Sequence, residues 1–320
     1  MVKKMGPSQK KYSRLSAFFP LWLCFLLCGP LFPPTAAWSW EGEHLFNIEG
    51  NFAPSSKVKH SSEKVEMFYG KASLNLPIYA NDYFSSIMAL EYSGYFLDYH
   101  NVESFIHPRN KEIVDQSDLP KDLHALDFLP GVAYRFNENW SSFLQAGPVL
   151  HSDLKNMSAQ AYSWQGLLLG GYEPTDGGPR LVFGGAYNDM FGQGMFLPVL
   201  GVQWKLIERL KLDIILPIHA IASYHVAKGL GLGLKAKVDG HEFRLSEKKP
   251  WRNDVVKYQQ IQAGPFLEID AFRPLAWRLE CGYVFNREVE FWNSKMKEKI
   301  GGGRFEESWF LGLTMRWVLE

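Results

Sequence analysis

Hydrophobic and polar positions alternate with a period of two along most of the chain beyond residue 40. The longest run is Leu275–Phe291. Leu275, Trp277, Leu279, Cys281, Tyr283, Phe285, Val289 and Phe291 form one row, and Arg278, Glu280, Gly282, Asn286, Glu288 and Glu290 form the other. Side chains change face at every residue of a strand, so this run predicts β-structure. It exceeds the usual soluble strand of about 5–6 residues and the roughly 9–11 residues that cross a bilayer at a tilt. The final segment repeats the pattern: Phe305, Trp309, Leu311, Leu313, Met315, Trp317 and Leu319 stand opposite Glu306, Ser308, Gly312, Thr314 and Arg316. Runs around Phe46–Phe52, Leu126–Phe136, Phe196–Leu206 and Leu230–Val238 divide in the same way. One row is apolar with aromatics near its ends; the other is polar, charged or glycine.

The connections have a rhythm of their own. Short turns at 80–82, 137–139, 175–178, 207–209, 227–229 and 272–274 alternate with longer polar stretches at 98–123, 151–160, 240–254 and 292–304. Short turns at one end and long loops at the other are the arrangement of outer-membrane barrels. Strands paired about the six turns number twelve, and Glu43–Ala53 with Phe305–Leu319 bring the total to fourteen. The predicted fold is therefore all-β: a closed antiparallel transmembrane β-barrel of about 14 strands, with 12 as the alternative. The count turns on Pro217, read as a tight connection between Lys211–Leu216 and Ile218–Val226. Were it only a kink, the number would be odd, which bacterial single-chain barrels avoid. Closure itself follows from the solvent, because lipid offers no hydrogen bonds to a free sheet edge.

The first residues change the picture of where this barrel sits. Lys3, Lys4, Lys10, Lys11 and Arg14 precede an apolar stretch from Leu15 to Phe32, and the small residues Thr35, Ala36 and Ala37 follow. That order predicts a cleavable signal peptide over 1–37 and a barrel over 38–320, placed in a bacterial outer membrane. An uncleaved anchor is the alternative, and a lipoprotein signal at Cys28 is opposed by the bulky Leu27 before it. Cys24 and Cys28 fall in the signal, so only Cys281 remains and no intrachain disulfide is expected. The best helical span, Leu210–Leu234, contains Lys211, Asp213 and Lys228, each costing roughly 2.5–3.5 kcal/mol at a helix centre. Charge is balanced, 34 Lys+Arg against 34 Asp+Glu, which argues against a nucleic-acid partner.

Two stretches carry a resemblance. Leu197-Pro198-Val199-Leu200-Gly201-Val202-Gln203-Trp204 and Glu280-Cys281-Gly282-Tyr283-Val284-Phe285-Asn286-Arg287-Glu288-Val289-Glu290 resemble a family of uncharacterised bacterial outer-membrane β-barrel proteins. Leu212–Pro217 and Ser223-Tyr224 between them look like the same family. The resemblance implies a secreted barrel with no established substrate and lends no catalytic residues. The chain departs from the usual aromatic barrel ending, since Val318, Leu319 and Glu320 follow Trp317.

Candidate chemistry lies on the polar rows. Glu49, Glu91, Arg135, Gln203, Lys205, Lys235, Lys237, Gln260, Gln262, Glu268, Arg278, Glu280, Glu288, Glu290 and Arg316 are predicted to face the lumen. In a wet lumen such charges set selectivity or bind a polar solute; in a narrow one they pair and fill the interior. Glu280, Glu288 and Glu290 could form an acid–base pair or a Ca²⁺ site, or be a solvated strand face near a rim. No histidine pair has metal-ligand spacing: His219 and His225 share a face but stand six residues apart. Ser223 and His225 are the one local pair a lipid hydrolase could use, and both are expected to point inward. Asn139-Trp140-Ser141 and Asn156-Met157-Ser158 match glycosylation sequons, and the Gly229–Gly233 repeat reads as a strand. No catalytic residue, metal site or cofactor is predicted. The expected partners are membrane lipid and small polar solutes. The expected function is a porin-like solute channel; the alternative is a surface-interaction barrel with a plugged lumen, and a lipid-modifying barrel enzyme ranks third.

Overall fold

The computed structural model describes residues 44–318 apart from 60, 109–110, 156–158, 176, 247–249 and 273. The predicted signal peptide, its two cysteines and the sequon at Asn156 lie outside these residues. No helix among those described is long and apolar enough to cross a membrane. Fourteen strands form the wall: β1 (His44–Lys57), β2 (Lys64–Ala80), β3 (Phe84–His100), β4 (Asp122–Arg135), β5 (Trp140–Ser152), β6 (Tyr162–Tyr172), β7 (Arg180–Asn188), β8 (Met195–Ile207), β9 (Leu210–Leu216), β10 (His219–Ala227), β11 (Leu230–Arg244), β12 (Val255–Phe272), β13 (Leu275–Trp292) and β14 (Ser308–Val318). Each pairs antiparallel with its sequence neighbours, and β1 closes the ring on β14 with Glu49 opposite Thr314 and Gly50 opposite Leu313. The six short turns lie at one end. Pro217 does join two short strands, after a cis Leu216–Pro217 bond, and fourteen strands result.

The outer face carries the apolar row. Leu90, Phe128, Leu144, Leu168, Leu200, Leu232, Leu279 and Leu311 are all exposed there. Aromatics border this belt. Trp309 and Trp317 on β14 lie eight residues apart, and Phe84 and Phe96 on β3 lie twelve apart. At about 3.3 Å per residue and a tilt of about 40°, those spans cover roughly 20–30 Å of height, which brackets the apolar band of about 25 Å that lipid requires.

The wall is uneven, and this shapes the interior. β9 has seven residues and β10 nine, whereas β12 and β13 have eighteen each. Above the low wall, β11 leans across and meets β5 in a parallel bridge between Arg244 and Ser152. Gly240 permits the crossing: a Cβ there would sit 2.2 Å from the carbonyl oxygen of Met190. A short strand, Lys299–Arg304, pairs with β13, and Phe305 bridges to Val58 beyond β1. The result is a smaller upper tier made by β1–β5, β11–β13 and that added strand. Inside it lies an apolar core containing Met67, Tyr95, Leu123, Phe243, Tyr258 and Phe291. Val114, Leu119 and Trp251 from the long loops belong to the same core, with Trp251 Nε1 donating to Asp118 O at 2.8 Å.

Two expectations are corrected here. The strand predicted from Phe305 starts at Ser308, and Phe305 enters the core at 3% exposure instead of joining the lipid-facing row. More consequential is a change of phase within β13. Buried positions run 276, 280 and 284, then 287, 289 and 291. The switch occurs at Asn286, whose φ is +49°, beside a register shift against β12. One extra residue in a bulge sends every later side chain to the opposite face. Val289 and Phe291 therefore point inward, and Glu288 and Glu290 point outward. Asn286→Val is expected to lower stability by about 1–2 kcal/mol, because a β-branched residue resists the left-handed region. Asn286→Gly should be close to neutral; the midpoints of denaturant-induced unfolding compare the two.

A charged cavity beneath an apolar seal

The seal is made by side chains that meet across the lumen. Tyr95 on β3 has its ring 5.0 Å from that of Tyr258 on β12 and 5.4 Å from that of Phe243 on β11. Around the wall these strands are far apart, so contact between them means the bore is filled at this level. Tyr95, Phe243, Tyr258 and Met67 are each at most 2% exposed. Burial of this kind, roughly 1.5–3 kcal/mol for a large side chain, makes the seal a folded core and not a loose lid.

Below it the inner rows turn polar. Lys237 Nζ on β11 reaches Glu49 Oε1 on β1 at 2.5 Å. Lys235 Nζ contacts Glu280 Oε1 at 2.8 Å. Glu268 accepts from Arg278 at 2.8 Å and pairs with Arg316 at 2.5 Å. Lys71 pairs with Glu91 at 2.6 Å. A cavity of about 490 Å³ lies among these groups, lined on its charged side by Lys71, Lys235, Lys237, Arg278, Glu49, Glu91, Asp127 and Asp239. Ile218 and His219, at the rim of the low wall, also line it.

Of the residues predicted to face the lumen, Glu49, Glu91, Lys235, Lys237, Glu268, Arg278, Glu280 and Arg316 thus come together. Gln260 and Gln262 are buried on the inner row of β12. Gln203 donates to Asp213 at 3.0 Å. Arg135 lies at the short-turn rim, where it lines a small hollow with Arg180 and Glu173. Lys205 is exposed near the same end. Glu288 and Glu290 do not belong to the lumen: Glu288 accepts from Gln259 at 2.9 Å, and Glu290 pairs with Lys299 on the outer side of the upper tier. The suggested carboxylate group of Glu280 with these two is therefore not formed. Ser223 and His225 share the inner row of β10, and no hydrogen bond joins them among the described residues.

One cluster has no counterpart among the residues predicted from the sequence. His151 near the end of β5, Asp189 just beyond β7 and His241 on β11 place three ligand-type atoms within 4.8 Å of one another. His151 Nδ1 lies 2.8 Å from Asp189 Oδ2, and His151 Nε2 lies 2.9 Å from Asp127 Oδ1. His241 Nδ1 stands 3.6 Å from Asp189 Oδ1. Asp189 also accepts from Gln165 Nε2 at 2.7 Å and from the Glu242 N–H at 2.8 Å. Burial pushes the Asp189 carboxyl upward, but the hydrogen bond from His151, with His241 beside it, outweighs burial and holds the group well below the usual carboxylate range. The three residues come from separate parts of the chain, at positions 151, 189 and 241, so no local spacing announces them.

A closed antiparallel barrel with an apolar, aromatic-bordered outside and charges within is a transmembrane β-barrel of the outer-membrane type. The chain belongs to the family described as a domain of unknown function (DUF6268), which it matches over residues 46–318. No curated protein matches it. Among solved structures it is similar to the Pseudomonas putida toluene transporter TodX, at 11% identity and TM-score 0.36 over 86% of this chain and 89% of the other. It is similar also to the COG4313 outer membrane channel from Pseudomonas putida F1, at 9% identity and TM-score 0.41 over 90% and 100% of the two chains. A third is OccK7 (OpdD) of Pseudomonas aeruginosa, at 10% identity and TM-score 0.31 over 84% and 98%. At such identities and scores, nothing about substrate passes from them to this chain.

Proposed function

We propose that the protein is an exported barrel of the bacterial outer membrane that handles small polar solutes through a gated lumen, not through an open axial pore. The carrying observation is the pairing of a filled upper tier with a charged cavity of about 490 Å³ directly below it. The cavity holds both signs of charge, which suits a small solute that itself carries both. Lipid covers the outer belt, and export through the signal predicted at 1–37 brings the chain there.

Recording from planar bilayers tests the reading. Folded wild-type protein should be silent at low voltage, with brief openings whose reversal potential in a salt gradient moves toward cation selectivity in Lys235→Gln. A steady ohmic current from the wild type would replace this reading with an open porin. A second reading is a surface-interaction barrel with a permanently plugged lumen. It is favoured by one observation, the way Val114, Leu119 and Trp251 of the long loops are built into the seal. Silence in the wild type and in folded variants lacking the seal would leave that second reading standing.

A further inference from the structure

We propose that His151, Asp189 and His241 form a binding site for a divalent first-row transition metal, zinc or a neighbour of it, on the wall of the cavity where β11 crosses the low wall. The inference rests on these side chains and not on the passage of any solute.

The donor set and its spacing carry the proposal. Ligand atoms about 2.1 Å from a tetrahedral ion stand about 3.4 Å from one another. Here His151 Nδ1 stands 2.8 Å from one oxygen of Asp189 and His241 Nδ1 3.6 Å from the other, and one donor atom from each of the three residues falls within 4.8 Å of the others. His241 Nδ1 is buried and makes no hydrogen bond among the described residues, which leaves its lone pair for an ion. Two imidazoles and one carboxylate favour zinc, cobalt, nickel or copper over calcium and magnesium, which take oxygen ligands.

The surroundings have the form that metal ligands require. His151 offers Nδ1 to the site while Nε2 faces Asp127 at 2.9 Å. A carboxylate behind a ligating imidazole fixes the ring and strengthens the donor nitrogen. Gln165 and the Glu242 N–H hold the two oxygens of Asp189. His151 is 2% and Asp189 7% exposed, so neither head is free to turn away. Asp189 and His241 also line the charged cavity, which leaves the fourth coordination position facing space for water or a solute carboxylate. Without a metal the same contacts form an imidazolium–carboxylate network, so the alternative is a purely structural ion cluster.

Titration with Co²⁺ decides between the two. The full chain, refolded in detergent without a polyhistidine tag and stripped with chelator, is titrated while the visible ligand-field absorption is followed; Zn²⁺ is then added as competitor. One saturable ion per chain, displaced by Zn²⁺, is expected. His241→Gln should weaken binding at least about tenfold, and Asp127→Asn about 10–100-fold, as for a partner behind a ligand. Heat-modifiable migration in SDS confirms that each variant is folded. Absence of saturable binding in the wild type overturns the proposal, as does unchanged binding in folded His241→Gln. Should His241→Gln fail to fold, the wild-type titration together with Asp127→Asn still decides the matter.

Discussion

Replacing Phe243 and Tyr258 with alanine will turn a silent barrel into a conducting one. Both rings contact Tyr95 from across the bore, and beneath them the inner surface is already polar and able to hold water. Each truncation costs about 3–5 kcal/mol of local core stability. The ladder of the fourteen strands does not depend on the upper tier, because below it all fourteen pair in one closed ring. The variant should therefore still migrate as a folded, heat-modifiable band while passing steady current steps in a planar bilayer. Adding Lys235→Gln should then shift the reversal potential toward cations, because Lys235 lies on the wall of the cavity the ions must cross. A folded double variant that carries no current would mean that a second barrier shuts the lumen, and the seal would lose its assigned role.

How far the sequence reveals this arrangement depends on what alternation can encode. Period two and the six short turns locate the strands and their number, because turn chemistry and strand pleat are local properties. The second tier is not local. On β2, Val65, Met67 and Tyr69 point inward into the core, while two residues further on Lys71 points inward to Glu91. The inner row is thus apolar at one height and charged at the next, and no rule of alternation states at which height lipid ends. The phase change at Asn286 had a trace in the sequence: the chain there reads Val284-Phe285-Asn286-Arg287, with an asparagine, a residue tolerant of positive φ, at the break. Arg287 lands in the interior, 2% exposed, with Nη1 donating to Ser56 at 3.2 Å. The His151–Asp189–His241 cluster left no trace, since it exists only once β11 has crossed to β5.

The second large effect concerns Lys237. Its side chain and that of Glu49 are 16% and 10% exposed, and their charged ends join β11 to β1 through the lumen. Lys237→Met is expected to cost about 3–5 kcal/mol, because it takes from a buried carboxylate the cation in contact with it. Glu49 keeps the Asn51 side-chain amide at 2.5 Å and the more distant charges of Lys235 and Lys71, but these two ammonium groups are already engaged by Glu280 and Glu91. Replacing both partners, Lys237→Met with Glu49→Gln, should recover most of the loss, since the penalty lies in the unpaired charge more than in the missing attraction. The Lys71–Glu91 pair supplies the comparison. At 26% and 28% exposure, water screens it, and Lys71→Met should cost about 1 kcal/mol or less. Reversible urea unfolding in lipid vesicles, followed by tryptophan fluorescence, measures all three differences on one scale. If Lys237→Met proved no more costly than Lys71→Met, the interior at Glu49 would be as wet as that at Glu91, and the cavity would be continuous with bulk solvent through its whole depth.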